Sequence, residues 1–204
     1  MTGPVSSRPE ALIRARFCQE WLALIEKEDE PFRSRFLARV TPAMREQIVA
    51  ASRVAWLPLA MHVQLAEIQL DTFGVQRAHE YYRRAFAASL NGPVLGPLMM
   101  TAARLLGVSP ASFVRWAPRG YEAGFRNCGE VNGVVLGPQR ARLEYSNLPA
   151  VAIQSEAWVT STLSSAYGAY DVLQIEGVIR LDERGRTQGK LALDLEWGDR
   201  KGAT

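Results

Sequence analysis

The sequence predicts an α+β fold in which a helical N-terminal half packs on one face of a four-stranded antiparallel sheet. Two observations carry this. Apolar residues recur every three or four positions as far as Phe125, the period of helices, and alternate between Glu130 and Trp197, the period of strands. The change of period falls at Asn127-Cys128-Gly129, inside the stretch 108–136 around which the chain is organised, and the elements beyond it read β-β-α-β-β.

Taken in order, residues 1–10 are polar and rich in Pro, Gly and Ser, which predicts a disordered tail. Residues 11–27 read as a helix with Leu12, Phe17, Trp21, Leu24 and Ile25 on its apolar face. A short helical piece at 32–40 follows, and Thr41-Pro42 supplies an N-cap and a first-turn proline for a helix over 43–54. Trp56-Leu57-Pro58-Leu59 reads as an apolar turn into a helix over 59–73, which is apolar on two sides and so packs between neighbours. Gly74 ends it. The next helix, 75–90, carries His79, Tyr82, Phe86 and Leu90 on one face; Asn91-Gly92-Pro93 separates it from a helix over 93–106.

Ser109-Pro110 caps a helix over 110–126, with Phe113, Ala117, Tyr121 and Phe125 on one face and a kink or break expected near Ala117, because Pro118 removes a backbone hydrogen bond. Strands over 130–136 and 140–146 flank the turn Gly137-Pro138-Gln139, a helix spans about 151–167, and two strands end the domain. In those strands Leu173, Ile175, Ile179 and Leu181, then Leu191, Leu193, Leu195 and Trp197, alternate with polar residues, as in a sheet covered on one side. The domain therefore spans 11–198, with a helical part 11–127, a sheet part 130–197, and a tail at 199–204.

Composition narrows the function classes. With 48% hydrophobic and 22% charged residues the chain can bury a core unaided. A net charge of +3 is mild, and its basic residues are dispersed among acidic ones, which argues against nucleic acid as a partner. Two cysteines without a C-x-x-C pattern, no leader-like apolar segment and no apolar run of membrane-spanning length lead to the expectation of a cytoplasmic protein that engages no membrane.

Several short stretches together carry a resemblance: Trp56-Leu57-Pro58-Leu59, Phe73-Gly74, Tyr82-Arg83-Arg84-Ala85-Phe86, Arg126-Asn127-Cys128-Gly129-Glu130 and the closing Glu196-Trp197. Their order resembles the myxobacteria-restricted family of uncharacterised proteins, a domain of unknown function with no established activity. The helical half followed by β-β-α-β-β is also similar to haem-nitric-oxide-binding, four-vinyl-reductase and transport-particle-subunit domains, which implies a cavity or interface between helices and sheet. The haem-binding version requires an axial His and a Tyr-x-Ser-x-Arg segment. Here Tyr145-Ser146-Asn147-Leu148-Pro149 places Ser one position early and supplies no Arg, so no cofactor is expected.

No catalytic, metal or phosphate signature is present. His62 and His79 are the only histidines and neither sits in an H-E-x-x-H pattern; Ser161, Ser164 and Ser165 lie in a helix without a nucleophile elbow. Cys128 follows a helix C-terminus, whose partial negative charge opposes a thiolate. If a cavity exists, the residues to line it are His79, Tyr82, Phe86, Phe113, Trp116, Tyr121 and Phe125, while Arg115, Arg119 and Arg126 form a stripe suited to an anionic partner. The leading functional reading is a non-catalytic regulatory or adaptor protein that binds a protein partner or itself as a homodimer. The alternative is a sensor holding a small apolar ligand between helices and sheet, and third come a nucleic-acid-associated regulator or an unrecognised enzyme.

Overall fold

The computed structural model describes residues 9–90, 96 and 109–200. The helix read at 93–106, most of the N-terminal tail and the last four residues lie outside the described residues. Helices and antiparallel strands pack together as the sequence predicts, and the four long strands β4 (Glu130–Gly137), β5 (Arg140–Ser146), β6 (Ile175–Asp182) and β7 (Leu191–Arg200) form one sheet in the order β4-β5-β7-β6. Leu143 stands opposite Leu193, which in turn stands opposite Leu181, so the apolar positions line up across the sheet. The other face is wet. There Arg142 donates to Asp194 (2.6 Å) and Asp182 (2.8 Å), and Arg180 pairs with Glu196 at 3.0 Å.

A second, three-stranded sheet was not foreseen. The stretch read as one helix begins as β1 (Leu12–Arg14) before α1 (Ala15–Ile25), and the expected apolar turn at Trp56 is β2 (Trp56–Pro58). β1 pairs with β2 on one side and β3 (Phe125–Arg126) on the other. The pairing overrides helical propensity because β1 finds antiparallel partners on both sides. It also corrects the end of the junction helix: α5 (Pro110–Gly124) stops before Phe125 and Arg126, which are strand residues.

Around these strands lie α2 (Glu30–Leu37), α3 (Pro42–Ala50), α4 (Leu59–Leu90), α6 (Ala150–Ile153) and α7 (Glu156–Leu173). The Thr41 hydroxyl caps α3 by accepting from the Met44 amide at 3.2 Å, and Ser109 and Ser112 close a reciprocal capping box on α5. α4 bends at Gly74, whose φ of 74° and ψ of 168° divide it into the two helical runs the sequence predicts.

Pro118 does not interrupt α5, contrary to the expected break. Proline cannot donate to the Val114 carbonyl one turn earlier, and that carbonyl is instead pressed against β4: a Cβ on Gly133 would stand 2.1 Å from the Val114 oxygen. Only a glycine lets helix and sheet approach so closely. The apolar core consequently has two parts, one gathering α1, α2, α3, α4 and α6, the other between α5, α7 and the sheet.

Candidate functional site

Between the two parts of the core lies a cavity of about 180 Å³. Its wall is built from Phe17, Glu20 and Trp21 on α1, His62, Phe86 and Ser89 on α4, Phe113, Trp116 and Tyr121 on α5, Phe125 on β3, Leu143 and Tyr145 on β5, and Trp158 and Ala166 on α7. The space is of the size of an engineered apolar cavity of about 150 Å³ that accommodates benzene. Helical spacing explains α5's share: Phe113, Trp116, Ala117, Gly120 and Tyr121 recur at three- and four-residue steps and face inward together. Ring contacts hold the wall in shape. Tyr121 stacks on Phe125 at 4.5 Å and meets Tyr145 edge-on at 6.0 Å, its hydroxyl donating to the Cys128 carbonyl at 2.8 Å, while Phe86 meets Phe113 edge-on at 6.1 Å.

Of the residues proposed to line such a cavity, Phe86, Phe113, Trp116, Tyr121 and Phe125 are on the wall, whereas His79 and Tyr82 are elsewhere. Tyr82 stacks on Trp21 at 5.2 Å and its hydroxyl donates to the Ala66 carbonyl at 2.8 Å, across the bend of α4. His79 is half-buried beside Tyr167, with Nδ1 2.7 Å from the Ser164 hydroxyl. Burial, and then the nearby Arg83, lower its pKa. This Ser-His pair is not a nucleophile with its base: Ser164 is fully buried, and its hydroxyl also lies 2.6 Å from the Thr160 carbonyl.

The arginines do not share one helix face. Arg115 and Arg119 are exposed on α5, the latter over Trp116 at 4.5 Å; Arg126 lies on β3 with its guanidinium 4.6 Å from the Trp56 ring, which Arg14 also approaches at 3.8 Å. Both cysteines are free and buried. The Cys128 thiol lies within hydrogen-bonding distance of the Leu12 and Arg126 carbonyls, and burial pushes its pKa to about 11 and that of Cys18 to about 12. Among the described residues no group of three or more His, Cys, Asp or Glu is placed to hold a metal ion.

The polar part of the wall escaped sequence reasoning. His62 is buried, its ring 4.1 Å from that of Trp21, its Nδ1 has no hydrogen-bond partner among the described residues, and burial depresses its pKa to about 3. Glu20 Oε1 accepts from Arg16 at 2.6 Å and Arg53 at 3.2 Å, but Oε2, also buried, has no partner among the described residues. Behind it Arg16 is fully buried and donates also to the Ser89 carbonyl at 3.1 Å. A buried polar atom left unpaired costs about 1–3 kcal/mol. The wall hydroxyls differ, since those of Ser89, Ser161 and Thr162 donate to carbonyls of their own helices. His62 was legible in one respect: Leu59, His62, Ala66, Gln69 and Phe73 are spaced three and four apart, so a histidine and a glutamine share a stripe with buried apolar residues.

An Fe(II) unliganded H-NOX protein from K. algicida superposes with a TM-score of 0.60 at 9% identity, covering 94% of this chain and 100% of that one. The fold is that of the H-NOX domains. A mutant H-NOX protein from S. oneidensis in the Fe(II) ligation state gives a TM-score of 0.62 at 10% identity over 94% of this chain and 100% of that one. An oxygen-binding H-NOX domain related to soluble guanylate cyclases gives 0.60 at 8% identity over 92% and 96%. At these identities the likeness to H-NOX domains is one of fold. No protein-family model matches the sequence, and no curated protein matches it.

Proposed function

We propose that this chain is a non-catalytic sensor domain that binds a small apolar ligand between its helices and its sheet. The observation that carries the reading is the aromatic-walled cavity at the seam of the two core regions. The H-NOX fold supports it, since one of its structural neighbours is an oxygen-binding domain. A catalytic role has less support: Glu20 is engaged by two arginines, His62 is held neutral and weakly basic, and the cavity wall presents no thiol among the described residues. An adaptor surface would be a contiguous exposed apolar patch, and the exposed large apolar side chains among the described residues, such as Val49, Val75, Leu136 and Val178, each stand on a separate element. Among the described residues no helix is long and apolar enough to cross a membrane, and two free thiols suit a reducing compartment such as the cytoplasm.

The haem named for an H-NOX neighbour does not fit this cavity. A volume near 180 Å³ suits one or two fused rings, whereas a porphyrin joins four pyrroles. No Lys or Arg among the described residues lines the wall to receive propionates, and a carboxylate, Glu20, stands there instead. The only wall histidine, His62, is packed against Trp21.

Native mass spectrometry of the purified protein tests the reading together with thermal denaturation in the presence of benzene, toluene, naphthalene or haemin. A co-purifying small mass, or a rise in Tm with an aromatic hydrocarbon but not with haemin, is expected. At a hundredfold excess over Kd, ligand stabilises by about 2.7 kcal/mol. No bound mass and no Tm response to any hydrocarbon overturns the sensor reading, and the same spectra report whether the chain is monomeric, dimeric or partnered.

A further inference from the structure

The cavity is greasy around most of its wall but not around all of it, and the exception indicates what its occupant carries. Glu20 Oε2 and His62 Nδ1 are buried polar atoms without partners among the described residues, on two residues of the same wall, contributed by α1 and α4. Trp21, next to Glu20 in the chain, lines the same wall, and its ring packs tilted against that of His62 at 4.1 Å. A carboxylate oxygen can only accept, and a neutral imidazole nitrogen accepts or donates according to tautomer. The partner that Glu20 lacks is therefore a donor.

Resting on the sensor reading above, we propose that the ligand is an uncharged one- or two-ring aromatic molecule bearing an O–H or N–H group, with its donor directed to Glu20 Oε2, on the wall that His62 shares. Size sets the ring count, because 180 Å³ is slightly more than a benzene-binding cavity holds. The rings of Phe17, Trp21, Phe113 and Trp116 on the wall favour a flat π-system, which gains edge-on and offset contacts that an alkane does not. Charge selects a neutral molecule. Glu20 is already met by Arg16 and Arg53, so a cation finds no uncompensated anion, and an anion meets the unpartnered carboxylate oxygen. A donor on the ligand matters strongly in such a place, because an analogue without it leaves the buried Glu20 oxygen unpaired.

The test is calorimetric titration of the intact protein with isosteric pairs: phenol against toluene, and indole against benzothiophene. Phenol and indole are expected to bind roughly tenfold or more tightly than their partners, and Glu20→Leu to erase that preference while leaving toluene affinity within about threefold. If Glu20→Leu does not fold, the pairs on the unaltered protein still decide. Equal affinity within a pair overturns the donor assignment while leaving the apolar-ligand reading intact. Tighter binding of benzylammonium than of phenol overturns the neutral assignment, and binding of none of these molecules overturns both this inference and the sensor reading on which it rests.

Discussion

His62 makes the stability of this domain depend on pH in a way that isolates a single residue. Its pKa is about 3 in the folded protein, driven down by burial, against about 6.5 in an unfolded chain. Between those values the unfolded state binds a proton that the folded state refuses. Stability attributable to this residue is therefore fully present above pH 6.5 and is lost as the pH falls toward 3. From pH 7 to pH 4.5 the loss is nearly two pKa units' worth, about 2–3 kcal/mol. With a urea dependence of about 2 kcal/mol per molar, the unfolding midpoint drops by about 1 M. His79, whose pKa is also lowered, acts in the same direction, and Glu28, held below its usual range by Arg77 and Arg84 despite the opposing effect of burial, adds its share at still lower pH. Both remain in His62→Phe, which keeps a ring against Trp21 but cannot take up a proton. Urea unfolding of the two proteins at pH 7 and pH 4.5 should show the variant losing about 2 kcal/mol less than the parent. An equal loss in both would mean that His62 is solvated or paired, and the account of a dry polar corner in the cavity would fall with it.

Two further outcomes test the packing around the site. Gly133→Ala should destabilise by about 2 kcal/mol or more, because its methyl meets the Val114 carbonyl, whereas Gly120→Ala on α5, with nothing within 4 Å of its new methyl, should stabilise by about 0.5–1 kcal/mol through helix propensity; thermal denaturation yielding the reverse order would refute the close approach of α5 to β4. Cys18 and Cys128, with pKa values near 12 and 11 from burial, should not react with an aromatic disulfide reagent at pH 8 until urea is added, and rapid modification of the native protein would show that one of them is accessible.

Much of the fold is visible in local patterns because burial acts on one face at a time. The alternation Leu191, Leu193, Leu195, Trp197 follows directly from a sheet with one covered face, and the bend of α4 follows from a glycine that can take a φ of 74°. The small sheet is not visible, because β1 and β2 are three residues each and β3 is two, too short for a period to declare itself. Their pairing joins residues 12–14 to 56–58 and to 125–126, and that information is spread across the chain. It also moved Phe125 from a helix face to a strand, yet left it on the cavity wall through its stack with Tyr121.

The site was legible to the extent that one helix supplies it. Phe113, Trp116 and Tyr121 could be grouped from the spacing on α5 alone, whereas Tyr82, at a suitable spacing from Phe86, is withdrawn from the wall because the bend at Gly74 lays Ala66 across its hydroxyl. Nothing in the helix that carries Tyr82 records this. The polar corner is harder still, since Glu20 belongs to α1 and His62 to α4, and each taken singly reads as an ordinary surface glutamate or a core histidine. What distinguishes them is that the fold places both on one wall and leaves an atom of each without a partner among the described residues. A cavity at the meeting of two core regions is owned by neither, so its chemistry emerges only when both are assembled. That is why the aromatic lining could be anticipated from sequence periodicity and the polar corner of the cavity could not.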